Sequence, residues 1–239
     1  MRTSRHLLAA SLLFNLISLI LGGVWVSRSA NERKANAAAN AAARQGFVAS
    51  GSYRAGSAYF AQLPRRDGAI VLLGDSITAN AEWSEVLGRA DVLNRGIPGD
   101  TVEGIARRVP EVTRHRPRLV LLMAGINDLR GGESATYVLA QHKKVLQALR
   151  TGSPQTRIVL QSILPVGPDK AQALRRNIEE VNRGLKQLTD GKRVIFLDLH
   201  SRFVDSSGNL KAHLTIDGLH LNGQGYRVWL EELRSVLNP

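Results

Sequence analysis

From residue 69 onward the chain alternates short apolar runs with longer amphipathic stretches. The runs cover 69–74, 92–94, 119–124, 158–163 and 194–199, and Val, Ile and Leu dominate them. Runs apolar at successive positions suit strands covered on both faces, as in a buried parallel sheet. Between them the apolar residues recur every three or four positions. Val102, Ile105, Val109 and Val112 form one such series, and Leu139, His142, Leu146 and Leu149 another. Leu174, Ile178, Val181, Leu185 and Leu188 form a third, and Tyr226, Trp229, Leu233 and Leu237 a fourth. Each spacing lays an apolar stripe along a helix. Strands alternating with helices predict a three-layer, flavodoxin-like α/β fold, with a five-stranded parallel sheet between helices and right-handed crossovers. Tyr53, Ser57 and Phe60 also stand at helical spacing, which predicts a short helix laid on the domain before Pro64.

The first fifty residues follow another pattern. Residues 7–26 are almost continuously apolar and are preceded by Arg2, Arg5 and His6. That length matches the ~20 residues a helix needs to cross a bilayer. It exceeds the ~7–15 residues of a signal-peptide core, which favours an uncleaved anchor over a cleaved signal. Residues 29–50 are rich in Ala and Asn and carry too little apolar surface to build a core. The chain therefore divides into a membrane anchor or signal sequence (1–28), a linker (29–50) and a folded domain (51–239). The expected placement is anchored in the membrane through residues 7–26 with the domain outside the cytoplasm, or secreted after cleavage.

Composition narrows the chemistry. With no cysteine, the chain has no disulfide, no thiolate metal site and no cysteine nucleophile. The net charge of +12 suits anionic partners. Arg107, Arg108, Arg114, Arg116 and Arg118 spread along one helix and its exit, and no nucleic-acid motif accompanies them. They read as a solvated basic face. No His and carboxylate cluster has metal-ligand spacing, so neither a metal nor a cofactor is expected.

In an open parallel sheet the site lies at the carboxyl ends of the strands. The first run ends in Gly74-Asp75-Ser76-Ile77-Thr78, where a small turn can expose a serine hydroxyl or cap the next helix. The second leads to Pro98-Gly99-Asp100-Thr101, with a glycine that lets backbone approach a reacting group and an Asp or Thr suited to N-capping. The third ends in Gly125-Ile126-Asn127-Asp128, where an amide can donate to developing negative charge or close an Asx turn. Just before the last helix stands Asp217-Gly218-Leu219-His220. Three-residue spacing lets Asp217 accept from one ring nitrogen of His220 and leaves the other to take a proton from a hydroxyl. His6, His115, His142, His200 and His213 have no such neighbour and read as structural.

Taken together and in order, these four blocks resemble the SGNH hydrolases, also called GDSL esterases and lipases, over about residues 69–237. The stretch 94–101 is most similar to the branch of platelet-activating-factor acetylhydrolase catalytic subunits and bacterial carbohydrate acetylesterases. The resemblance implies a catalytic triad of Ser76, His220 and Asp217. It also implies an oxyanion hole made of the Ser76 N–H, the Gly99 N–H and the Asn127 side chain. Two positions depart from the usual pattern: Ile77 stands where Leu is common, and Pro98 where a small residue is. The implied activity is a serine esterase acting on short-chain, chiefly acetyl, esters, with an acetylated carbohydrate or a lipid as substrate. A thioesterase, lysophospholipase or acyltransferase would use the same residues, and an inactive binding module would keep the same fold. The Gly-x-Ser-x-Gly elbow of α/β-hydrolases and the Gly-x-Gly-x-x-Gly of dinucleotide sites are both missing.

Overall fold

The structure is a computed structural model that describes residues 51–169 and 172–237, with 25–27, 30–32, 34–36, 38–39 and 41–42 ahead of them. The chain divides into two compact units, 1–44 and 45–239.

The membrane anchor expected over residues 7–26 is corrected here. Among the described residues no helix is long and apolar enough to cross a membrane, and residues 7–24 of that span lie outside them. The extracytoplasmic placement rested on that span, anchored or secreted, and falls with it.

The second unit opens with α1 (Gly51–Gln62), followed by β1 (Ile70–Gly74), α2 (Ser76–Ala79), α3 (Trp83–Val86), β2 (Val92–Gly96) and α4 (Val102–Thr113). Next come β3 (Leu119–Met123), α5 (Ile126–Arg130), α6 (Ala135–Gly152), β4 (Arg157–Gln161) and α7 (Gln172–Gln187). The chain closes with β5 (Val194–Leu197), α8 (His200–Phe203), a 3-10 turn (Ala212–Leu214) and α9 (Gly223–Leu237). The five strands form one parallel sheet in the order β2-β1-β3-β4-β5. All five residues of β1 and of β3 are buried, which is why these runs are apolar without alternation. The predicted helical stripes face this core: Val102, Ile105, Val109 and Val112 are buried, as are Ile178, Val181 and Leu185.

Two strand ends differ from the pattern for identifiable reasons. Strand β2 continues through Arg95 to Gly96, and the Arg95 side chain is buried although its charge breaks the apolar run. Its guanidinium bonds Glu111 at 3.0 Å and lies 4.7 Å over the Phe60 ring. Strand β4 stops at Gln161, short of Ile163. There the Asn182 side chain takes both the N–H and the C=O of Ile163, at 2.8 and 2.9 Å, in place of a neighbouring strand.

The basic face expected over Arg107–Arg118 holds for Arg107, Arg116 and Arg118, which are exposed, and not for Arg108 and Arg114. Arg107 is exposed and pairs with Glu103, but Arg108 is buried, and Arg114 donates to the carbonyls of Phe60 and Leu63. Arg108 and Arg114 hold elements together, because their long side chains reach backbone carbonyls of other segments.

Candidate active site

Strand order reverses between β1 and β3, the point at which an open parallel sheet places its site. Ser76 leaves β1 as the first residue of α2. Its half-buried hydroxyl lies 3.0 Å from His220 Nε2, across 144 residues of sequence. His220 Nδ1 lies 2.7 Å from Asp217 Oδ2. The other Asp217 oxygen accepts the N–H groups of Leu219 and His220 at 2.9 and 2.7 Å. A carboxylate on Nδ1 holds the proton there and leaves the Nε2 lone pair facing the serine hydroxyl. Partial burial alone would push the Asp217 carboxyl up. The hydrogen bonds from the His220 ring and from the two amides outweigh it and hold the carboxyl at about 2.

The loop bearing this pair is internally braced. Thr215 bridges to Leu221, donates to the His220 carbonyl at 2.6 Å and accepts the Gly218 N–H at 2.9 Å. Gly218 takes a left-handed φ of 77°, which a side chain would strain, and its carbonyl accepts the Gly167 N–H at 2.7 Å. The segment 162–167 after β4 is thereby pinned against the Asp217 loop and is buried along its length.

After β2, Ile97 to Asp100 form a turn closed by the Asp100 N–H on the Ile97 carbonyl at 3.0 Å. Gly99 has φ 80° at its third position, and Pro98 stands at its second. That is a type II turn, which favours proline and glycine at those two places. Pro98 therefore suits this turn. The Gly99 N–H is not used by the turn's own bond. From α5, just past β3, the Asn127 side chain donates to the Asp100 carbonyl at 3.0 Å, which brings the third block against the second. Thr101, not Asp100, caps α4, accepting the Gly104 N–H at 3.1 Å.

Beneath these groups lies a buried cluster that sequence patterns do not reveal. Asp100 pairs with Arg108 at 2.8 Å, and Arg108 also donates to the carbonyls of Gly74 and Arg95. Asp75 caps α2 through the Ile77 N–H at 3.0 Å, and Asp128 accepts the Val102 N–H at 3.1 Å. Burial pushes the carboxyls of Asp75 and Asp128 up to about 7 and that of Asp100 to about 6. The one available cue was that all three stand beside a motif residue. Among the described residues no group of His, Asp and Glu is arranged to hold a metal ion.

Residues 72–228 match the model of the GDSL-like lipase/acylhydrolase family. The chain is 31% identical to the platelet-activating factor acetylhydrolase IB subunit alpha1 of Bos taurus over 176 residues, covering 70% of this chain and 74% of that one. Two solved structures share the fold. A protein of Streptococcus pneumonia assigned as a platelet activating factor superposes with a TM-score of 0.70 at 24% identity, over 78% of this chain and 92% of that one. A carbohydrate esterase family 3 protein of Talaromyces cellulolyticus gives a TM-score of 0.55 at 23% identity, over 71% of this chain and 96% of that one.

Proposed function

The chain belongs to the GDSL-like lipase/acylhydrolase family and is a carboxylic ester hydrolase, and from that premise we propose that Ser76 attacks the ester carbonyl and that the preferred acyl group is acetyl. The observation that carries the assignment is the continuous chain from Ser76 Oγ to His220 Nε2 and from His220 Nδ1 to Asp217. As Ser76 Oγ bonds to the carbonyl carbon, its proton passes to His220 Nε2. Asp217 holds the ring and stabilises the imidazolium that forms. The oxyanion is met by the N–H groups of Ser76 and Gly99 and by the Asn127 amide. Ser76 is the first residue of α2, where helical N–H groups have no acceptor within the helix. His220 returns its proton to the leaving alcohol as the carbon–oxygen bond breaks. Water then repeats the sequence on the acyl-serine, with His220 again base and then acid.

Two things support a short acyl group. The relatives include an acetylhydrolase subunit and a carbohydrate esterase. Compactness also favours it, because the first three motif blocks follow their strands directly. The segment most suited to wall a pocket, 162–167, is buried and pinned rather than free to form a lid. The substrate is then a small acetyl ester, such as an acetylated carbohydrate. Each buried methylene of an acyl chain is worth ~0.8 kcal/mol, or roughly fourfold in kcat/KM. The test is a series of p-nitrophenyl esters below their micelle concentrations. The expected result is a best rate at about two to four carbons, since an open site returns little of that burial energy to longer chains. A steady climb from acetate to decanoate would replace the acetyl reading with a lipase or thioesterase.

A further inference from the structure

Helix α2, which starts at Ser76, has only four residues. So short a helix cannot hold itself by its own hydrogen bonds. The Ser76 carbonyl accepts the Asn80 N–H at 3.0 Å. The other three are taken by side chains from elsewhere. The Thr78 carbonyl accepts from Trp83 Nε1 at 2.7 Å, and the Ala79 carbonyl from Asn94 Nδ2 at 3.1 Å. The Ile77 carbonyl accepts from the Tyr226 hydroxyl at 2.8 Å. The Ile77 N–H is already held by Asp75, so the residue after the serine is fixed at both its polar groups.

These three donors differ in origin. Trp83 and Asn94 belong to α3 and β2, the chain just downstream of α2. Tyr226 comes from the first turns of α9, six residues after His220. The connection between them is stiff. Leu221 bridges Thr215, the Asn222 N–H bonds the Leu214 carbonyl at 3.1 Å, and Asn222 Oδ1 accepts the N–H groups of Gln224 and Gly225 at 3.0 Å each. The Tyr226 ring is held as well, stacked on Trp229 at 6.1 Å and 15° and edge-on to Trp83 at 6.1 Å and 80°. Burial, and then the Asp75 charge, push its hydroxyl up to about 12, so it remains a neutral donor.

We propose that Tyr226 is a positioning residue for the ester-hydrolysis reaction: its bond to the Ile77 carbonyl ties the segment bearing His220 to the helix bearing Ser76 and sets the distance between the two reacting atoms. This rests on reading Ser76 as nucleophile and His220 as its base. Misplacement of reacting groups by 1 Å can cost about 10²-fold in rate, so a strut one residue from the serine has leverage that a remote bond lacks.

The test compares wild type, Ser76→Ala and Tyr226→Phe. The readouts are kcat and KM on p-nitrophenyl acetate, the rate of fluorophosphonate labelling, and Tm. For Tyr226→Phe, kcat and labelling rate should fall together by about five- to tenfold, the size of one lost hydrogen bond expressed at the transition state. KM should stay within about twofold of wild type. A lower Tm with kcat and labelling unchanged well below the transition would overturn the proposal, leaving Tyr226 structural. A rise in KM with unchanged kcat would overturn it too, because the hydroxyl would then be binding substrate. Should Tyr226→Phe be unstable at the assay temperature, the same kcat and labelling readouts taken below its Tm carry the same expectations, since Phe keeps the ring against Trp83 and Trp229. The nucleophile reading fails separately: it falls if wild type takes no label, or if Ser76→Ala keeps wild-type activity.

Discussion

Aspartates occupy two contrasting regions of this site, and their surroundings drive them in opposite directions. Asp217 stands on a loop with 48% of its side chain exposed, and its carboxyl is held at about 2. Asp75, next to the serine, is 1% exposed, and burial pushes its carboxyl up to about 7. Asp128 and Asp100 share that second environment and move the same way. One region keeps its charge because water and three donors meet it. The other gives its charge up more readily because the surroundings solvate an ion poorly. The exposed loop is therefore suited to electrostatic work on the His220 ring, and the buried cluster to holding the loops around Ser76 in shape. Variants in the first should act mainly on rate, and variants in the second mainly on stability.

The largest expected effect is in the exposed region. Ser76→Ala and His220→Ala should each lower kcat by about 10⁴- to 10⁶-fold, and the double variant by little more, because the groups act as one unit. Asp217→Asn should cost somewhat less, about 10³- to 10⁴-fold, with only a modest fall in Tm because solvent screens its half-exposed carboxylate. Kinetics on the four variants would check this, and strictly additive losses would break the shared mechanism.

Arg108→Met probes the buried region. It leaves Asp100 without its partner and should destabilise the fold by ~3–5 kcal/mol at pH 8 in urea denaturation. The loss should shrink as pH falls toward about 6, because without Arg108 the Asp100 carboxyl takes up its proton above the value it has beside the guanidinium. A loss independent of pH would mean the guanidinium matters for its bonds to the Gly74 and Arg95 carbonyls rather than for its charge.

Asn127→Ala lies between the regions, since the amide proposed to meet the oxyanion is also bonded to the Asp100 carbonyl. We expect kcat to fall by about 10²–10³, with little change in KM, as for one lost oxyanion donor. A raised KM with kcat intact would place the amide in ground-state binding.

A pH series on Asp75 sharpens the contrast most. The Asp75 carboxyl titrates at about 7 in the folded protein against an ordinary 3.8, so between those values the native state holds a proton the unfolded chain has released. Stability contributed by this group is full below about pH 4 and declines as pH rises to about 7. Asp75→Asn removes that decline. Urea midpoints at pH 4, 6 and 8 should show the variant gaining on wild type as pH rises. For Asp217 the sign reverses: its depressed carboxyl contributes stability above about 4 that is lost as pH falls toward about 2. A wild-type advantage growing with pH at Asp75 would show that the buried carboxylate stays ionised and the contrast is false.

Much of this architecture was legible in the chain because local periodicity reports which face of an element meets the core. The buried strands β1 and β3 and the stripe of α4 stand at the predicted positions, and the hydrogen bond between Asp217 and His220 spans a single turn. Chemistry-bearing residues were legible at strand ends because a parallel sheet delivers its loops to one edge. Where a side chain contradicted its surroundings, pattern failed. Arg95 and Arg108 are charged yet buried, and Tyr226 read as one more apolar residue of α9 while its hydroxyl reaches α2.

The sequence by itself determined the strand and helix alternation, the family blocks and the residue types available for acyl transfer. Only the tertiary structure decided that Ser76 meets His220 across 144 positions, that Asp100 faces Arg108, and that three aspartates lie dry while a fourth stays wet. Periodicity is a property of neighbours in the chain. A pKa or a hydrogen bond between distant residues is a property of what the strand order β2-β1-β3-β4-β5 brings together and of how much water it leaves between them.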